Sequence, residues 1–182
     1  MSRSDWMTMG VDPSLSSTGI SVIGETTSIR SNLSGPRRLM EIRDRIMHAV
    51  ITYKIDCVSI EHYSYASRNS QAHSIGELGG VLRVALYEAG IPTVEIAPAC
   101  RAKFATGKGN AAKPEVVSAV SARTGTIWSG GDGPDRCDAW VLEEMLRYRL
   151  GQSLIDWPKS HAVALEKVDW SPLERLTKGN SG

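Results

Sequence analysis

Four acidic residues of this 182-residue chain could do chemistry together: Asp12, Glu61, Asp135 and Asp138. Asp12 closes a strand-like run at 6–12 (WMTMGVD), and Glu61 closes another at 55–61 (IDCVSIE). Asp135 and Asp138 are three apart just after Pro134, so they share a face at the start of a helix. Gathered carboxylates raise one another's pKa and resist ionisation. Mg²⁺ or Mn²⁺, hard cations that take oxygen ligands, would remove that difficulty. Two such ions, about 3.5–4 Å apart, can hold the attacking water and the leaving oxygen of a phosphodiester. The expectation is a site of two Mg²⁺ (or Mn²⁺) ions, with Asp12 central. Taken singly, each acid has a plainer role. Asp135 and Asp138 suit a helix dipole, Asp12 before Pro13 suits a turn, and Glu61 suits a solvated strand end.

The elements that must position these acids are legible from periodicity. Strands are expected at 6–12, 18–23 and 26–31, separated by turns at Pro13, Gly19 and Gly24, as in a meander. Pro36 then opens a helix, with Ser34 a candidate N-cap. Leu39, Ile42, Ile46, Val50 and Tyr53 form its apolar stripe. A buried strand at 55–61 and a polar loop from Ser64 to Ser70 follow. A second helix is expected over 71–89, ending at Gly90, and its Gly76, Gly79 and Gly80 point to close packing against something. After a strand at 92–97, a basic loop is expected over 99–113, then a helix from Pro114 and another after Pro134 that ends at Gly151. This alternation predicts an α/β fold: a mixed sheet of a three-strand antiparallel meander plus two parallel strands, flanked by helices. Residues 1–151 are read as one nuclease domain, and 152–182 as a C-terminal tail that is partly docked and partly disordered.

Composition narrows the class. Hydrophobic residues make up 41% and charged residues 23%, as in an ordinary globular protein. No run approaches the ~20 apolar residues of a membrane span, and no secretory signal opens the chain, so a cytoplasmic protein with no membrane partner is expected. Cys57, Cys100 and Cys137 are an odd, widely spaced set that reads as reduced structural thiols. The net charge of +1 does not argue for nucleic acid. A local stretch does: residues 101–113 (RAKFATGKGNAAK) carry Arg101, Lys103, Lys108 and Lys113 and no acid. Those cations, with Arg68 in the polar loop and the amides of Gly107 and Gly109, are candidate phosphate contacts. Arg37, Arg38, Arg43 and Arg45 are interspersed with Glu41 and Asp44 and read as a solvated face. His62 and His73 read as structural or surface residues.

Three stretches, taken in order, resemble the RuvC family of Holliday junction resolvases. They are Met9-Gly-Val-Asp-Pro-Ser-Leu-Ser-Ser-Thr-Gly-Ile-Ser-Val-Ile23, Val58-Ser-Ile-Glu-His62 and Asp135-Arg-Cys-Asp-Ala-Trp140. The resemblance spans roughly residues 7–150. It implies a ribonuclease H-like fold, a homodimer, and metal-dependent nicking of two opposed strands of a four-way junction. It also implies that Asp12, Glu61, Asp135 and Asp138 are metal ligands, that Lys113 is catalytic, and that a second base falls on Arg101 or Lys103. Two departures stand out. Ser14 replaces a glycine after the Asp-Pro pair, and Ser64 replaces an aromatic that enters the junction, leaving Tyr63 and Tyr65 as candidates to stack on an opened base. Alternatives are a broader debranching or RNase H-type nuclease, a non-catalytic DNA-binding protein on the same fold, and an actin-like nucleotide-dependent phosphotransferase. The last is suggested by Ser16-Ser-Thr-Gly19 after Asp12, but the chain is too short for the duplicated domain that architecture uses.

Overall fold

The computed structural model describes residues 5–62, 70–174 and 176. Its centre is a five-stranded sheet made of β1 (Thr8–Asp12), β2 (Thr18–Val22), β3 (Glu25–Ile29), β4 (Cys57–Glu61) and β5 (Thr93–Ile96), in the order β3-β2-β1-β4-β5. The meander pairs are antiparallel, and β1–β4 and β4–β5 are parallel, as the alternation of elements predicts. Helices α1 (Gly35–Thr52) and α2 (Ser70–Glu88) cover one face of the sheet. Helices α3 (Pro98–Thr106), α4 (Lys113–Thr124) and α5 (Gly133–Arg149) cover the other. A short α6 (Lys159–Ala162) and two 3₁₀ turns, Val163–Lys167 and Ser171–Leu173, follow.

Strand alternation divides the core into two layers. Val58 and Ile60 join Ile42, Ile46 and Leu82 on the first face, while Cys57 joins Phe104, Val120 and Leu142 on the second. The stripe foreseen on α1 is buried at Ile42, Ile46 and Val50, but Tyr53 lies past the helix end and is exposed. Ser34 sits at the N-cap position without a side-chain cap bond.

Two expectations need correction. The basic stretch 99–113 is not one loop, because its first part is α3. Pro98 suits the first turn, and Gly107 at φ +84° ends the helix in the left-handed region that favours glycine. Cys100, Arg101, Ala102, Phe104 and Ala105 are all buried, so no one-sided apolar stripe marks this helix in the sequence. The glycines of α2 are also not a site of close packing within the described chain. A Cβ on Gly80 would meet nothing within 4 Å, and one on Gly79 only the Arg83 side chain at 3.4 Å.

The glycines that matter lie in the sheet. A Cβ on Gly10 of β1 would stand 2.2 Å from the Ala139 carbonyl oxygen and 2.5 Å from the Glu143 nitrogen, and one on Gly19 of β2 would stand 2.1 Å from the Asp135 carbonyl oxygen. Helix α5 therefore rests directly on the backbone of two strands. Glu143, 1% exposed, locks it there. It accepts hydrogen bonds from Thr8 Oγ1 (2.7 Å), Ser21 Oγ (2.6 Å) and the amides of Ile23 (2.6 Å) and Gly24 (3.0 Å). A buried carboxylate with four donors is a satisfied charge.

Opposite outcomes are expected for two alanine substitutions. Gly10→Ala forces α5 off the sheet and lowers unfolding free energy by about 3 kcal/mol or more. Gly80→Ala, in open helical space, raises it by up to about 1 kcal/mol. Urea denaturation of both variants checks the pair, and a harmless Gly10→Ala would contradict the contact.

Candidate active site

Strand register brings the first two acids together. Val11 lies beside Ile60 in the parallel β1–β4 pair, so the next residues, Asp12 and Glu61, leave the sheet side by side. The reciprocal hydrogen bonds of Ser14 and Thr18 hold the turn after Asp12: the Ser14 amide donates to Thr18 Oγ1 (3.1 Å), and that hydroxyl donates to the Ser14 carbonyl (2.6 Å). Ser14 thus forms this turn without the glycine. Because α5 lies on Gly10 and Gly19, its first turns overhang the same end of the sheet and deliver Asp138, fully buried, and Asp135, near the rim.

Two cations sit among these acids. Glu61 pairs with β5 at Ile96, and Pro98 then starts α3, so Arg101 enters from that side. Its Nε donates to Glu61 Oε1 at 2.5 Å and its Nη1 to Asp138 Oδ1. Lys113, the first residue of α4, donates to Asp135 Oδ1 at 2.7 Å and lies 3.4 Å from Asp138 Oδ2. Arg101 and Lys103 were equal candidates from sequence. They are two residues apart on a helix, about 200° round its axis, so only one can face the acids, and it is Arg101. Lys103, half-exposed, and Lys108, whose Nζ pairs with Glu115 at 3.0 Å on the surface, remain on the outer side. Tyr63, Tyr65, Arg68 and the loop between them lie outside the described residues, as does the side chain of His73. His62 faces Glu95 at 3.7 Å and touches none of the four acids.

The electrostatics follow from burial. Burial above all, then the nearby charges of Glu61 and Asp138, holds the Asp12 carboxyl well above the usual range, with Arg101 and Lys113 pulling it back. Burial likewise pushes Asp138 up to about 6, against Arg101 and Lys113. Burial works against the charge of Lys113, but the hydrogen bond to Asp135 and the other acids outweigh it and raise its pKa to about 12. At Arg101 burial is likewise outweighed, by Glu61 first and then Asp138 and Asp12. Burial also pushes the Cys57 and Cys137 thiols up to about 12, so both are inert.

The donor set suits a hard cation. Four carboxylates face two cationic side chains, and the Asp138 Oδ2 atom is buried without a hydrogen bond. Arg101 and Lys113 hold the acids in pairs, and among the described residues no three are disposed as a ready-made metal cage. A cavity of about 550 Å³ opens beside them, lined by His62, Pro98, Arg101, Asn110 and Lys113.

With this geometry in view, the comparisons are decisive. The family model for crossover junction endodeoxyribonuclease RuvC matches residues 8–124. The chain belongs to the RuvC family. The crossover junction endodeoxyribonuclease RuvC of Rhodopirellula baltica is 31% identical over 146 residues, which is 74% of this chain and 82% of the relative. That of Treponema denticola is 29% identical over 123 residues, 62% of this chain and 69% of the relative. In fold, the chain is similar to Thermus thermophilus RuvC in complex with a Holliday junction substrate (TM-score 0.64, 21% identity, 81% of this chain and 98% of that one). It is also similar to the yeast mitochondrial Holliday junction resolvase Ydc2 (TM-score 0.54, 9% identity, 96% of this chain and 82% of that one). The sheet order and these neighbours make this RuvC-family fold ribonuclease H-like. Sequence reading of the chain missed Glu143 and Glu144, two further buried acids of α5 beside Asp138. The signal was their place inside the apolar run 139–146 of that helix.

Arg101→Ala leaves Glu61 and Asp138 without their shared cation. In chelator the variant loses about 3–5 kcal/mol of stability, part of which Mg²⁺ restores; denaturation curves with and without Mg²⁺ measure it, and an unchanged midpoint would contradict the pairing. The pH dependence has a definite sign. The folded Asp138 carboxyl binds its proton more tightly than the unfolded one, so this group favours the metal-free fold at acid pH, and the benefit fades as pH rises through about 6. Cation binding must expel that proton. Ca²⁺ affinity by calorimetry therefore rises between about pH 5 and pH 7, and a flat profile would count against Asp138 as a ligand.

Proposed function

We propose that this chain is a metal-dependent endonuclease that resolves four-way DNA junctions by paired nicks, with Asp12, Glu61, Asp135 and Asp138 as ligands of two Mg²⁺ or Mn²⁺ ions. The observation that carries it is the convergence, at one end of the sheet, of four buried or half-buried acids from β1, β4 and α5 with two positively charged side chains. The metal ions would supply Lewis-acid activation of the phosphodiester and its attacking water.

The chain's own residues account for the rest. Lys113 is held protonated against burial by its hydrogen bond to Asp135 and the other acids. It is a hydrogen-bond donor and positive charge for the phosphate on which negative charge develops. Arg101 can take a phosphate oxygen with the same fork it offers Glu61 and Asp138. Burial of Asp12 and Asp138 excludes bulk water and strengthens these interactions. Gly109 lines the cavity beside the site, and its amide, with Lys103 and Lys108 farther out, would make phosphate contacts that position DNA without reading sequence. Tyr63 and Tyr65 follow Glu61 closely enough to stack on bases beside the cut, with Arg68 adding charge.

A homodimer matches two nicks to the two-fold symmetry of a junction. Helix α2 is the face that supports this assignment. Beside its unpacked Gly80 it exposes Val84 (58%) and Tyr87 (73%). Among the described residues no helix is long and apolar enough to cross a membrane.

Asp12→Asn is expected to abolish nicking while leaving affinity for a labelled four-way junction within a few-fold. Cutting at the wild-type rate would sink the assignment. Substrate choice is read on one gel series of four-way junction, three-way junction, flap, linear duplex and RNA–DNA hybrid, each with Mg²⁺, Mn²⁺ or Ca²⁺. Symmetric nicks in the four-way junction alone are expected. Equal cutting of flaps would make the enzyme a general debranching nuclease, and cutting of the hybrid alone an RNase H.

A further inference from the structure

The segment after α5 lies beyond the 8–124 span of the family model, yet it packs against α3, the helix that carries Arg101. Glu144, 1% exposed, fastens its start: it accepts hydrogen bonds from Ser153 Oγ, the Leu154 amide (2.9 Å) and Trp157 Nε1 (3.1 Å). The Trp157 ring then packs on Phe104 of α3, with centroids 4.3 Å apart, under the Arg123 guanidinium at 5.4 Å. Leu165, Val168 and Leu173 are buried in the same core as Phe104.

His161 makes the contact that reaches the site. Its Nδ1 lies 2.8 Å from the Phe104 carbonyl oxygen. A carbonyl only accepts, so Nδ1 carries the hydrogen. Phe104 is in the last turn of α3, where carbonyls have no helical donor. The Lys108 amide, which could have served it, donates to Thr106 Oγ1 instead, at 3.0 Å. His161 thus supplies the donor for the Phe104 carbonyl, beside the Gly107 amide that caps the Lys103 carbonyl. Its ring also closes over Gly107, where a Cβ would stand 3.2 Å from Nε2. Gly107 is where α3 ends and the run Lys108–Lys113 begins, and Arg101 is one helical turn before Phe104.

We propose that residues 157–173 form a strap whose His161 sets the rotation of α3 and the departure of the 107–113 loop, making His161 a positioning residue for Arg101 and Lys113. This rests on the nuclease reading for its functional half. Arg101 serves two carboxylates through one planar fork, so a small rotation of α3 breaks one bond or the other. Misplacement by about 1 Å is enough to cost on the order of a hundredfold in rate. The strap acts on the chemical step, because the outer contacts of Lys103 and Lys108 with DNA do not depend on such fine placement.

The test compares the full-length chain with His161→Ala and His161→Asn, whose side-chain amide nitrogen stands where Nδ1 does. In hydrogen–deuterium exchange, His161→Ala raises exchange several-fold at residues 101–113 and leaves the β1–β4 sheet protected, and His161→Asn restores it. With saturating protein, the single-turnover nicking rate of His161→Ala falls about tenfold or more, its junction affinity changes less than threefold, and His161→Asn recovers most of the rate. The proposal is overturned by unchanged exchange at 101–113, by a rise spread evenly over the chain, by an asparagine variant as impaired as the alanine one, or by a wild-type nicking rate despite loosened exchange. A wild-type chain that nicks no DNA would sink the nuclease reading and with it the functional half of the proposal, whereas the exchange at 101–113 would still decide whether His161 holds α3.

Discussion

The architecture turns on one steric constraint: nothing stands between α5 and the backbones of β1 and β2. At Gly10 and Gly19 even a methyl group would overlap main-chain atoms of the helix. This contact, more than any pair of side chains, fixes the height and direction of α5. It places Asp138 above Asp12, and the four hydrogen bonds to Glu143 prevent the helix from sliding along the strands. The sheet supplies the other coordinate, because parallel pairing of β1 with β4 leaves Asp12 and Glu61 no freedom to separate.

Gathering acids this way is unfavourable in itself, and the chain offsets it with Arg101 and Lys113. The offset is partial. Asp12 and Asp138 remain raised despite both cations, and one oxygen of Asp138 has no hydrogen-bond donor. Glu143 shows the alternative treatment of a buried acid a few residues along the same helix. It is fully supplied with donors, two of them backbone amides, and belongs to the scaffold. The contrast separates an acid fully supplied with donors from acids whose charge two cations only partly offset.

Much of this was legible in the sequence, for identifiable reasons. β1, β2, β4 and α1 announce themselves through short β-branched runs or a clear 3.6-residue stripe. Asp12 and Glu61 fall at strand ends that such runs delimit. Asp135 and Asp138 follow a proline that marks a helix start. What the sequence hid was α3, because a helix with burial spread around it has no clear polar face to reveal its period, and Arg101 and Lys103 mimic a basic loop. The choice between Arg101 and Lys103 was hidden with it, since only helical geometry separates residues two apart. The two glycines that seat α5 read as ordinary strand and turn residues, because what they accommodate lies more than a hundred positions away. Gly79 and Gly80 of α2, more conspicuous in sequence, meet no backbone of another element within the described chain.

The grip of Glu143 on the β2–β3 turn also dictates an order of events. The turn amides of Ile23 and Gly24 emerge early in synthesis, and their acceptor on α5 comes 120 and 119 residues later. Asp138, on the same helix, is made equally late. A ribosome-bound chain that has completed β4 therefore holds Asp12 and Glu61 without the helix that unites them with Asp138. Such a long-range closure is slow to form. An unfinished chain, released or stalled, therefore carries Asp12 and Glu61 without the helix-borne acids that complete the cluster.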